Sequence, residues 1–253
     1  MNFSGKLLKT NFKIIIEYDG SNYHGWQRQP KEPTIQDEIE KALKSITQQK
    51  VTLIGSGRTD AGVHAFDQVA NFCCDTTLSP DVFQRGLNSL LPKDIVIKTC
   101  IQVPEKFHAR YDATSKTYHY KLLNRAIPAA IFHQYAWHIQ KKLDLEAIRD
   151  SARYIIGTHD FRAFEGSGSP RSNTIRNVLK ADLIEMDDGH IVFEIKGDGF
   201  LRFMVRNIMG TLVDVGLGRI TPDDFKRILE SKNRNDAGVT APAHGLFLME
   251  VEY

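Results

Sequence analysis

Apolar and polar residues along this chain follow two repeating patterns, one typical of strands and one typical of helices. The segment NFKIIIEYDG, residues 11–20, is rich in β-branched residues and ends in Asp-Gly, which predicts a strand. The segment TIQDEIEKALKSITQQK, residues 34–50, instead places apolar residues such as Ile35 and Ile39 at helical spacing. Thr34 stands where an N-cap belongs. The first fifty residues therefore predict a strand and an amphipathic helix.

The rest of the first half predicts three strands and one helix. Ser79 at the N-cap and Pro80 at the first helical position indicate the start of the helix. It is expected over SPDVFQRGLNSLLP, residues 79–92. The strands are VTLIGS (51–56), QVANFCCD (68–75) and DIVIKTCIQV (94–103).

The second half mixes strands and helices in the same way. A hairpin is predicted over VLKADLIEMDDGHIVFEIKG, residues 178–197, with its turn at Asp188-Gly189. Further strands are KTYHYKLLN (116–124) and LFLMEVEY (246–253), and helices are LDLEAIRDSARYIIG (143–157), GFLRFMVRNIMGTLVDVG (199–216) and TPDDFKRILESK (221–232), the last with Thr221 as N-cap. Irregular alternation with hairpins favours an α+β fold with a mainly antiparallel sheet.

Two halves of similar content predict a pseudo-duplicated architecture. We expect an N-terminal α/β subdomain over residues 1–110 and a C-terminal α/β subdomain over residues 111–253, divided near 107–113. No low-complexity linker marks this boundary, so the sheet is expected to be continuous across it.

Composition narrows the class of protein only moderately. The 253 residues are 42% hydrophobic and 25% charged, which is ordinary for a globular protein. The sequence has no apolar run near the ~18 residues of a membrane span and no signal-peptide pattern, so no membrane association is expected. Three cysteines without a CxxC motif argue against a disulfide framework or a zinc site and favour the reducing cytoplasm. A net charge of +2 neither requires nor excludes a nucleic-acid partner.

The loop GSGRTDAGVHA, residues 55–65, carries the candidate chemistry. It lacks the Gly-Lys-Ser/Thr ending of a phosphate-binding P-loop. One interpretation is a tight turn in which Asp60 bonds its own backbone. The other treats Arg58 and Asp60 as functional groups, because a neighbouring arginine keeps a carboxylate ionised and such a group can act as a nucleophile or base without a metal. The sequence pattern alone leaves both open.

A family resemblance favours the functional interpretation. GRTDAGVHA, residues 57–65, resembles the signature of the tRNA pseudouridine synthase A family. Five further segments are similar to blocks of that family and stand in the family order, so the resemblance covers essentially the whole chain. They are YDGSNYHGWQRQ (18–29), FHARYDATSKTYHYKLLN (107–124), GTHDFRAF (157–164), GFLRFMVRNIMG (199–210) and APAHGLFL (241–248).

The resemblance implies a definite activity. It implies an enzyme that isomerises uridine to pseudouridine at positions 38–40 in the anticodon stem-loop of tRNA. It further implies no metal, nucleotide or redox cofactor, two α/β subdomains facing a positively lined central cleft, and a cytoplasmic homodimer that binds one tRNA across both subunits.

The resemblance also implies roles for individual residues. Asp60 matches the aspartate nucleophile, Tyr118 matches a tyrosine that stacks on the target base, and Arg206 matches the basic residue that pairs with the aspartate. Leu246 falls at an apolar position beside the uracil. Arg58 matches an arginine implicated in opening the RNA helix and holding the flipped nucleotide.

Two further residues are candidates for RNA contacts. His64 belongs to the signature and could contact the RNA. Arg202 and Arg206 are four residues apart on a predicted helix, hence on one face, and we assign Arg202 to an RNA phosphate. A structural ion pair is the alternative for these two arginines. No HExxH motif occurs and no histidine accompanies a CxxC, so no metal site is predicted.

Aromatic residues allow a functional and a structural interpretation. Tyr118 and Tyr120 alternate with His119 on a predicted strand and therefore share one face, where core packing is the usual role. Tyr23, His24 and Trp26 lie in a polar loop, where they either stack on bases or fold back onto the core.

The reaction explains why such residue types are needed. It breaks the bond from C1′ to N1, rotates the uracil and rejoins it through C5. An ionised carboxylate can attack C1′, act as base at C2′ or add at C6, and the sequence leaves all three open. The detached uracil must be retained and the uridine must first be flipped out of its stem, which suits an aromatic face and an aliphatic wall.

Two other classes of protein remain possible at this point. An N-glycosidase or nucleoside transferase also attacks C1′ but releases the base. A non-catalytic RNA-binding module is the other, although KGDGFLRFMV, residues 196–205, fits the RNP1 pattern poorly. Asp112 and the insert-like loop GSGSPRSNT, residues 166–174, depart from the family pattern and leave RNA contacts open.

Overall fold

The computed structural model describes residues 8–166, 168 and 173–253, and the chain divides into two compact units. The first unit is Met1–Thr114 with Glu250–Tyr253, and the second is Ser115–Met249. The insert-like loop predicted at residues 166–174 falls largely outside the described residues.

The first unit is an antiparallel sheet with two helices. Strand β1 pairs antiparallel with both β3 and β4, and β2 pairs antiparallel with β3. Ile14 in the middle of β1 lies opposite Ala70 on one side and Cys100 on the other. The elements are β1 (Leu8–Tyr18), α1 (Ile35–Thr47), β2 (Ile54–Gly55), β3 (His64–Thr76), α2 (Pro80–Leu90) and β4 (Ile95–Val103).

The core of the first unit lies on one face of its sheet. Phe12 of β1 and Phe72 of β3 are paired residues with ring centroids 5.3 Å apart, and Phe83 of α2 packs on both. Ile35 and Ile39 of α1 are fully buried as well. The periodic apolar positions that predicted α1 therefore face the core, and Phe83 and Leu87 of α2 do so as well.

Several details of the first unit differ from the prediction, since β1 spans Leu8–Tyr18 rather than residues 11–20 and β3 begins at His64 rather than at residue 68. The strand expected over residues 51–56 is only the two residues of β2. Helix α1 ends at Thr47 because Gln48 adopts a left-handed conformation, with φ of 57°. Thr34 and Ser79 occupy the predicted N-cap positions, but neither side chain makes a capping hydrogen bond.

The second unit is built on a longer meander. Strands β5 and β9, β9 and β8, and β8 and β7 pair antiparallel, whereas β6 pairs parallel with β5. Strand β10 is next to β5 in sheet order. The elements are β5 (Ser115–Asn124), β6 (Trp137–Ile139), α3 (Leu145–Arg153), β7 (Gly157–Asp160), β8 (Ile175–Glu185), β9 (His190–Gly197), α4 (Met204–Gly216), α5 (Pro222–Ser231) and β10 (Leu246–Glu252).

Helix α4 is central to the second unit. Most of its residues are buried, which agrees with its nearly continuous apolar sequence. Beside it, the ring of Phe164 stacks on that of Phe225 of α5 with centroids 5.7 Å apart. Asn207 and Thr211 are fully buried polar residues within this helix.

Several predictions for the second unit are confirmed. The hairpin turns at Asp188 and Gly189, both with positive φ (58° and 77°), as a tight turn between twisted strands requires. Thr221 caps α5 in a capping box with Asp224. Helix α3, however, ends at Arg153 rather than at Gly157, and the short strands β6 and β7 were not predicted.

The predicted helix over residues 199–216 begins later than expected. Phe203 has a φ of 61°, outside the helical range, and α4 starts at Met204. Arg202 therefore precedes the helix, and the prediction that Arg202 and Arg206 share one helical face is wrong. A pattern of apolar residues cannot reveal a left-handed residue that interrupts it, because the pattern records burial and not φ.

The fold class predicted from the sequence is confirmed. Helices and mainly antiparallel strands form an α+β protein. Among the described residues, every helix is too short or too polar to cross a membrane.

Candidate active site

Asp60 lies on the loop between β2 and β3. Asp60 is half-buried, and its backbone carbonyl oxygen accepts a hydrogen bond from the Val63 backbone N–H at 3.2 Å, which closes a turn. Arg58 is exposed, and its Nε donates to the Gln27 side chain at 3.0 Å. Within the part of the chain that the structure describes, Arg58 makes no ion pair. The hypothesis that Arg58 keeps Asp60 ionised is therefore not supported.

Buried hydrogen bonds fix the two sides of this loop. The Tyr18 hydroxyl lies 2.7 Å from the Thr59 hydroxyl, directly before Asp60. Ser56 donates to the Gln68 side chain at 2.6 Å, and the Gln68 amide donates to the Gly57 carbonyl at 3.1 Å. The loop backbone that carries Asp60 is thus tied to β1 and β3 on both sides.

The segment after β1 packs directly against the Asp60 loop. The Trp26 N–H donates to the Thr59 carbonyl at 3.1 Å, and the Gly62 N–H donates to the Tyr23 carbonyl at 3.3 Å. Gly25 has a φ of 91°, and a β-carbon there would stand 2.6 Å from the Thr59 oxygen. Only glycine fits this close approach.

The aromatic residues of that segment fold back onto the core. Tyr23 and Trp26 are 7% and 2% exposed, and the Trp26 indole covers Gly55. The Tyr23 hydroxyl donates to the Asp94 carboxylate at 2.6 Å. Of the two interpretations open for this loop, folding back onto the core is the one observed for both rings, while His24 is exposed.

His64 also joins the two segments. It is 2% exposed, and its Nδ1 accepts the Gly20 N–H at 3.1 Å. Gly20 itself would place a β-carbon 2.1 Å from the Val63 carbonyl oxygen. The side chain therefore lies below the surface and holds the first-loop backbone against the signature loop.

In the second unit, Tyr118 and Tyr120 share one face of β5 as predicted. Tyr118 is 8% exposed, and its ring meets that of Phe200 edge to face at 5.2 Å. Tyr120 is fully buried and donates its hydroxyl to the Pro242 carbonyl at 2.8 Å. Burial raises the pKa of Tyr120 above its ordinary value, so it stays a neutral donor.

Arg206 is half-buried in the first turns of α4. Its Nε donates to the Ala241 carbonyl at 2.7 Å, and the Ala241 N–H donates back to the Arg206 carbonyl at 3.1 Å. The guanidinium carbons of Arg206 and Arg202 lie 5.0 Å and 4.6 Å from the centre of the Phe203 ring. One aromatic ring thus orders both arginines, although only Arg206 is on the helix.

A buried polar network holds the segment next to Ala241, the hydrogen-bond partner of Arg206. The sequence did not reveal this network. Asn207 accepts hydrogen bonds from Arg234 at 3.1 Å and from Thr240 at 2.6 Å. Gly210 allows the Val239 carbonyl to approach, since a β-carbon there would stand 1.7 Å from that oxygen. The only signal for this network was an asparagine within an apolar helix. Because its partners lie 27 and 33 residues away, the sequence could not identify them.

Leu246 opens β10 and is 5% exposed. The preceding Gly245 lies against the Tyr120 ring, where a β-carbon would be 2.8 Å from the ring. Leu246 is therefore a buried apolar residue directly after the glycine that packs on Tyr120. Among the described residues, no group of three or more His, Cys, Asp or Glu side chains could hold a metal ion.

This chain has an α+β fold and carries a carboxylate on a glycine-rich loop. Its sequence is similar to those of known proteins. A family model described as tRNA pseudouridine synthase matches residues 14–112 and 151–253. A protein of Acetivibrio thermocellus named tRNA pseudouridine synthase A is 50% identical over 243 residues, covering 96% of this chain and 99% of that protein. A protein of the same name from Thermoanaerobacter sp. (strain X514) is 47% identical over 243 residues, with the same two coverages. The chain therefore belongs to the tRNA pseudouridine synthase family.

Similarity to solved structures is much weaker. A structure described as "Crystal Structure of a Cbf5-Nop10-Gar1 Complex" is similar with a TM-score of 0.36 and 13% identity, over 93% of this chain and 57% of that chain. The family assignment rests on the sequence comparisons alone.

Proposed function

We propose that this protein is an enzyme that isomerises uridine to pseudouridine in tRNA, at positions 38–40 of the anticodon stem-loop. The observation that carries the proposal is the family match, which spans the signature loop with Asp60. The relatives named tRNA pseudouridine synthase A, 50% and 47% identical to this chain, support tRNA as the substrate.

Asp60 is the proposed nucleophile or base. A carboxylate held on a rigid backbone needs little reorganisation to reach a flipped nucleotide. It attacks C1′, acts as base at C2′ or adds at C6. Each route detaches or rotates the uracil without a net change in the atoms of the RNA, and the chemistry needs no cofactor.

Three residues of the second unit are proposed to serve the same reaction. Arg206 pairs with the Asp60 carboxylate and keeps it ionised. Its bond from Nε to the Ala241 carbonyl anchors the guanidinium group at the start of α4. Tyr118 offers a ring for the uracil, and Leu246 offers an aliphatic wall.

The other proposed contacts concern the RNA. Arg58 is exposed on the signature loop, as a residue that holds a flipped nucleotide or replaces it in the stem must be. Arg202 is exposed before α4, where it can reach a phosphate. For His64, whose side chain is buried, an RNA contact would require the loop to open, so its main proposed role is to position the loop.

We further propose a homodimer in the cytoplasm. The segment between β5 and β6 exposes Ile127, Ile131 and Phe132, which are 71%, 74% and 70% exposed. Large apolar side chains this close together in sequence are typical of a surface that binds another protein. A second copy is the proposed occupant, because the family resemblance implies a dimer. Three free cysteines agree with a reducing compartment.

Two readouts of one reaction test the activity. An anticodon-arm transcript is incubated with the protein, and pseudouridine is mapped by carbodiimide labelling and primer extension. We expect stops at positions 38–40, and stops only elsewhere would contradict the site. The mass of the RNA is measured in parallel, since isomerisation leaves it unchanged whereas an N-glycosidase removes a uracil. A protein that only binds RNA would produce neither change.

Light scattering during gel filtration tests the dimer. The wild-type protein is expected at twice the mass of one chain, and Ile131→Asp with Phe132→Asp at the mass of one. Val239→Asp, at a 63% exposed apolar position of the same unit, serves as the matched control and should remain dimeric. A wild-type protein with the mass of one chain would contradict the proposal.

A further inference from the structure

The segment that follows β4 in the first unit forms a compact turn around His108. The imidazole Nδ1 accepts the backbone N–H groups of Arg110 at 3.2 Å and Tyr111 at 3.3 Å. The Asp112 carboxylate accepts a hydrogen bond from the backbone N–H of His108 at 2.9 Å. Asp112, which departs from the family pattern, therefore stabilises this turn.

The same segment is bound tightly to the sheet beneath it. The Asn11 amide donates to the Phe107 carbonyl at 2.9 Å, and the Ala109 N–H donates to the Asn71 side chain at 2.9 Å. The Tyr253 hydroxyl donates to the Ala109 carbonyl at 2.7 Å. Ala109 is fully buried, so the turn rests on a fixed base.

Three side chains of this turn gather at the surface. The rings of His108 and Tyr111 lie 4.3 Å apart at an interplanar angle of 31°, and the Arg110 guanidinium lies 5.7 Å from the Tyr111 ring. Tyr111 is nevertheless 75% exposed. Within the part of the chain that the structure describes, Arg110 has no carboxylate partner. An exposed aromatic ring is thus held in place beside an unpaired cation.

We propose that Tyr111, supported by His108 and Arg110, is a stacking site for an unpaired nucleobase of the RNA substrate. Bases outside a duplex stack on aromatic rings and guanidinium planes, and such contacts do not require a particular base. A ring that is already ordered loses little conformational entropy on binding. The inference rests on the proposed function, because it takes the ligand to be the RNA on which Asp60 acts.

The position of this site separates it from the chemistry. Asn71, which binds Ala109, is seven residues along β3 from His64 of the signature loop. At about 3.3 Å per residue, this corresponds to roughly 23 Å along the strand. Tyr111 is therefore expected to hold a nucleotide other than the uridine that is isomerised, and to contribute to affinity.

Four variants test the stacking site. Tyr111→Ala removes the ring, Tyr111→Phe keeps it, and Tyr111→Leu keeps apolar bulk without a π-face. Leu90→Ala trims a 53% exposed apolar side chain elsewhere in the same unit and serves as the surface control. The Kd for a labelled anticodon-arm transcript is measured at one salt concentration, and thermal melting checks that each variant is folded.

Stacking predicts a specific order of affinities. Tyr111→Ala and Tyr111→Leu should each raise Kd about tenfold, as expected for the loss of one stacked base, while Tyr111→Phe and Leu90→Ala bind like the wild type. An unchanged Kd in Tyr111→Ala, or a Tyr111→Leu variant that binds like Tyr111→Phe, would overturn the inference.

A photochemical measurement covers a variant that fails to fold. Ultraviolet cross-linking of the wild-type protein to a transcript that carries 5-iodouridine only outside positions 38–40, where C5 must stay free to rejoin the ribose, should label the peptide that contains Tyr111, and labelling confined to other peptides would overturn the inference. Pseudouridine is assayed in the same samples. A wild-type protein that forms none contradicts the proposed function, whereas normal activity without a role for Tyr111 contradicts the stacking site alone.

Discussion

At the scale of single residues, the placement of Asp60 depends on its neighbours, whereas its proposed chemistry depends on its own carboxylate. Hydrogen bonds through Tyr18 and Gln68 tie the signature loop to the sheet. Trp26 binds the Thr59 carbonyl from the other side. Changes at these positions should therefore disturb the loop, whereas an isosteric change at Asp60 should leave its shape intact.

Gly25→Ala is expected to damage the loop from outside it. A left-handed backbone and a β-carbon 2.6 Å from the Thr59 oxygen cannot coexist with the present packing. The variant should lose roughly 1–3 kcal/mol of the free energy of unfolding, measured by urea denaturation, and should form pseudouridine more slowly.

Gly86→Ala is the matched control for that variant. Its β-carbon would meet only the tip of the Ile46 side chain at 3.1 Å, within helix α2. Because alanine favours helices, its stability should stay within about 1 kcal/mol of the wild type. Equal stability of Gly25→Ala and the wild type would show that the two segments are not packed as described.

At this scale, sequence reasoning found the candidate residues but not their supports. Asp60 and Arg58 stand in a contiguous motif, and a motif can be recognised from a single sequence. The contact from Trp26 to Gly55 and the one from Asn207 to Thr240 join segments far apart in the chain. Burial of Trp26 removed it from the candidates for base stacking, and only the folded structure could show this.

At the scale of elements, two residues predicted to be N-caps, Thr221 and Ser79, differ in what they contribute to stability. Thr221 accepts the Asp224 N–H at 3.2 Å, whereas Ser79 makes no capping bond. Thr221→Ala should cost about 1 kcal/mol of stability, and Ser79→Ala should cost little. Urea denaturation of both variants measures the difference, and equal losses would contradict the assignment.

The cap of α5 also predicts a pH dependence. Hydrogen bonds from Thr221 lower the pKa of Asp224 from 3.8 to about 2. A carboxylate whose pKa is lower in the folded state than in the unfolded state stabilises the folded protein at pH values above its unfolded-state pKa. This contribution is lost as the pH falls through the folded-state pKa. Stability should therefore decline between about pH 4 and pH 2. In Asp224→Asn, the part of this decline that comes from the Asp224 carboxylate should be missing. Identical profiles of stability against pH for the wild type and the variant would contradict the prediction.

The elements themselves were predictable where the pattern was long. Helical periodicity located α1, capping residues located α2 and α5, an apolar run located α4, and the Asp-Gly turn located the hairpin. The pattern failed at Phe203, whose left-handed backbone moves Arg202 off the helix. It also missed β6 and β7, which have only three and four residues.

At the scale of the whole molecule, the α+β class followed from the order of the elements, and the activity is proposed from family membership. The matching model covers residues 14–112 and 151–253, so both compact units carry family sequence. Composition and a net charge of +2 decided little. The pairing of Asp60 with Arg206 was suggested only by resemblance, since no local pattern links residues so far apart in sequence.

The most direct test of the central claim is the rate of pseudouridine formation by Asp60→Asn under single-turnover conditions. Asparagine keeps the size of the side chain but cannot act as a nucleophile or base, so pseudouridine should be undetectable while the Kd for the transcript stays within a few fold of the wild type. Asp67→Asn, which removes a carboxylate that pairs with Lys98 at 2.6 Å, is the matched control and should react at the wild-type rate. Pseudouridine formed by Asp60→Asn at a rate near that of the control would contradict the account.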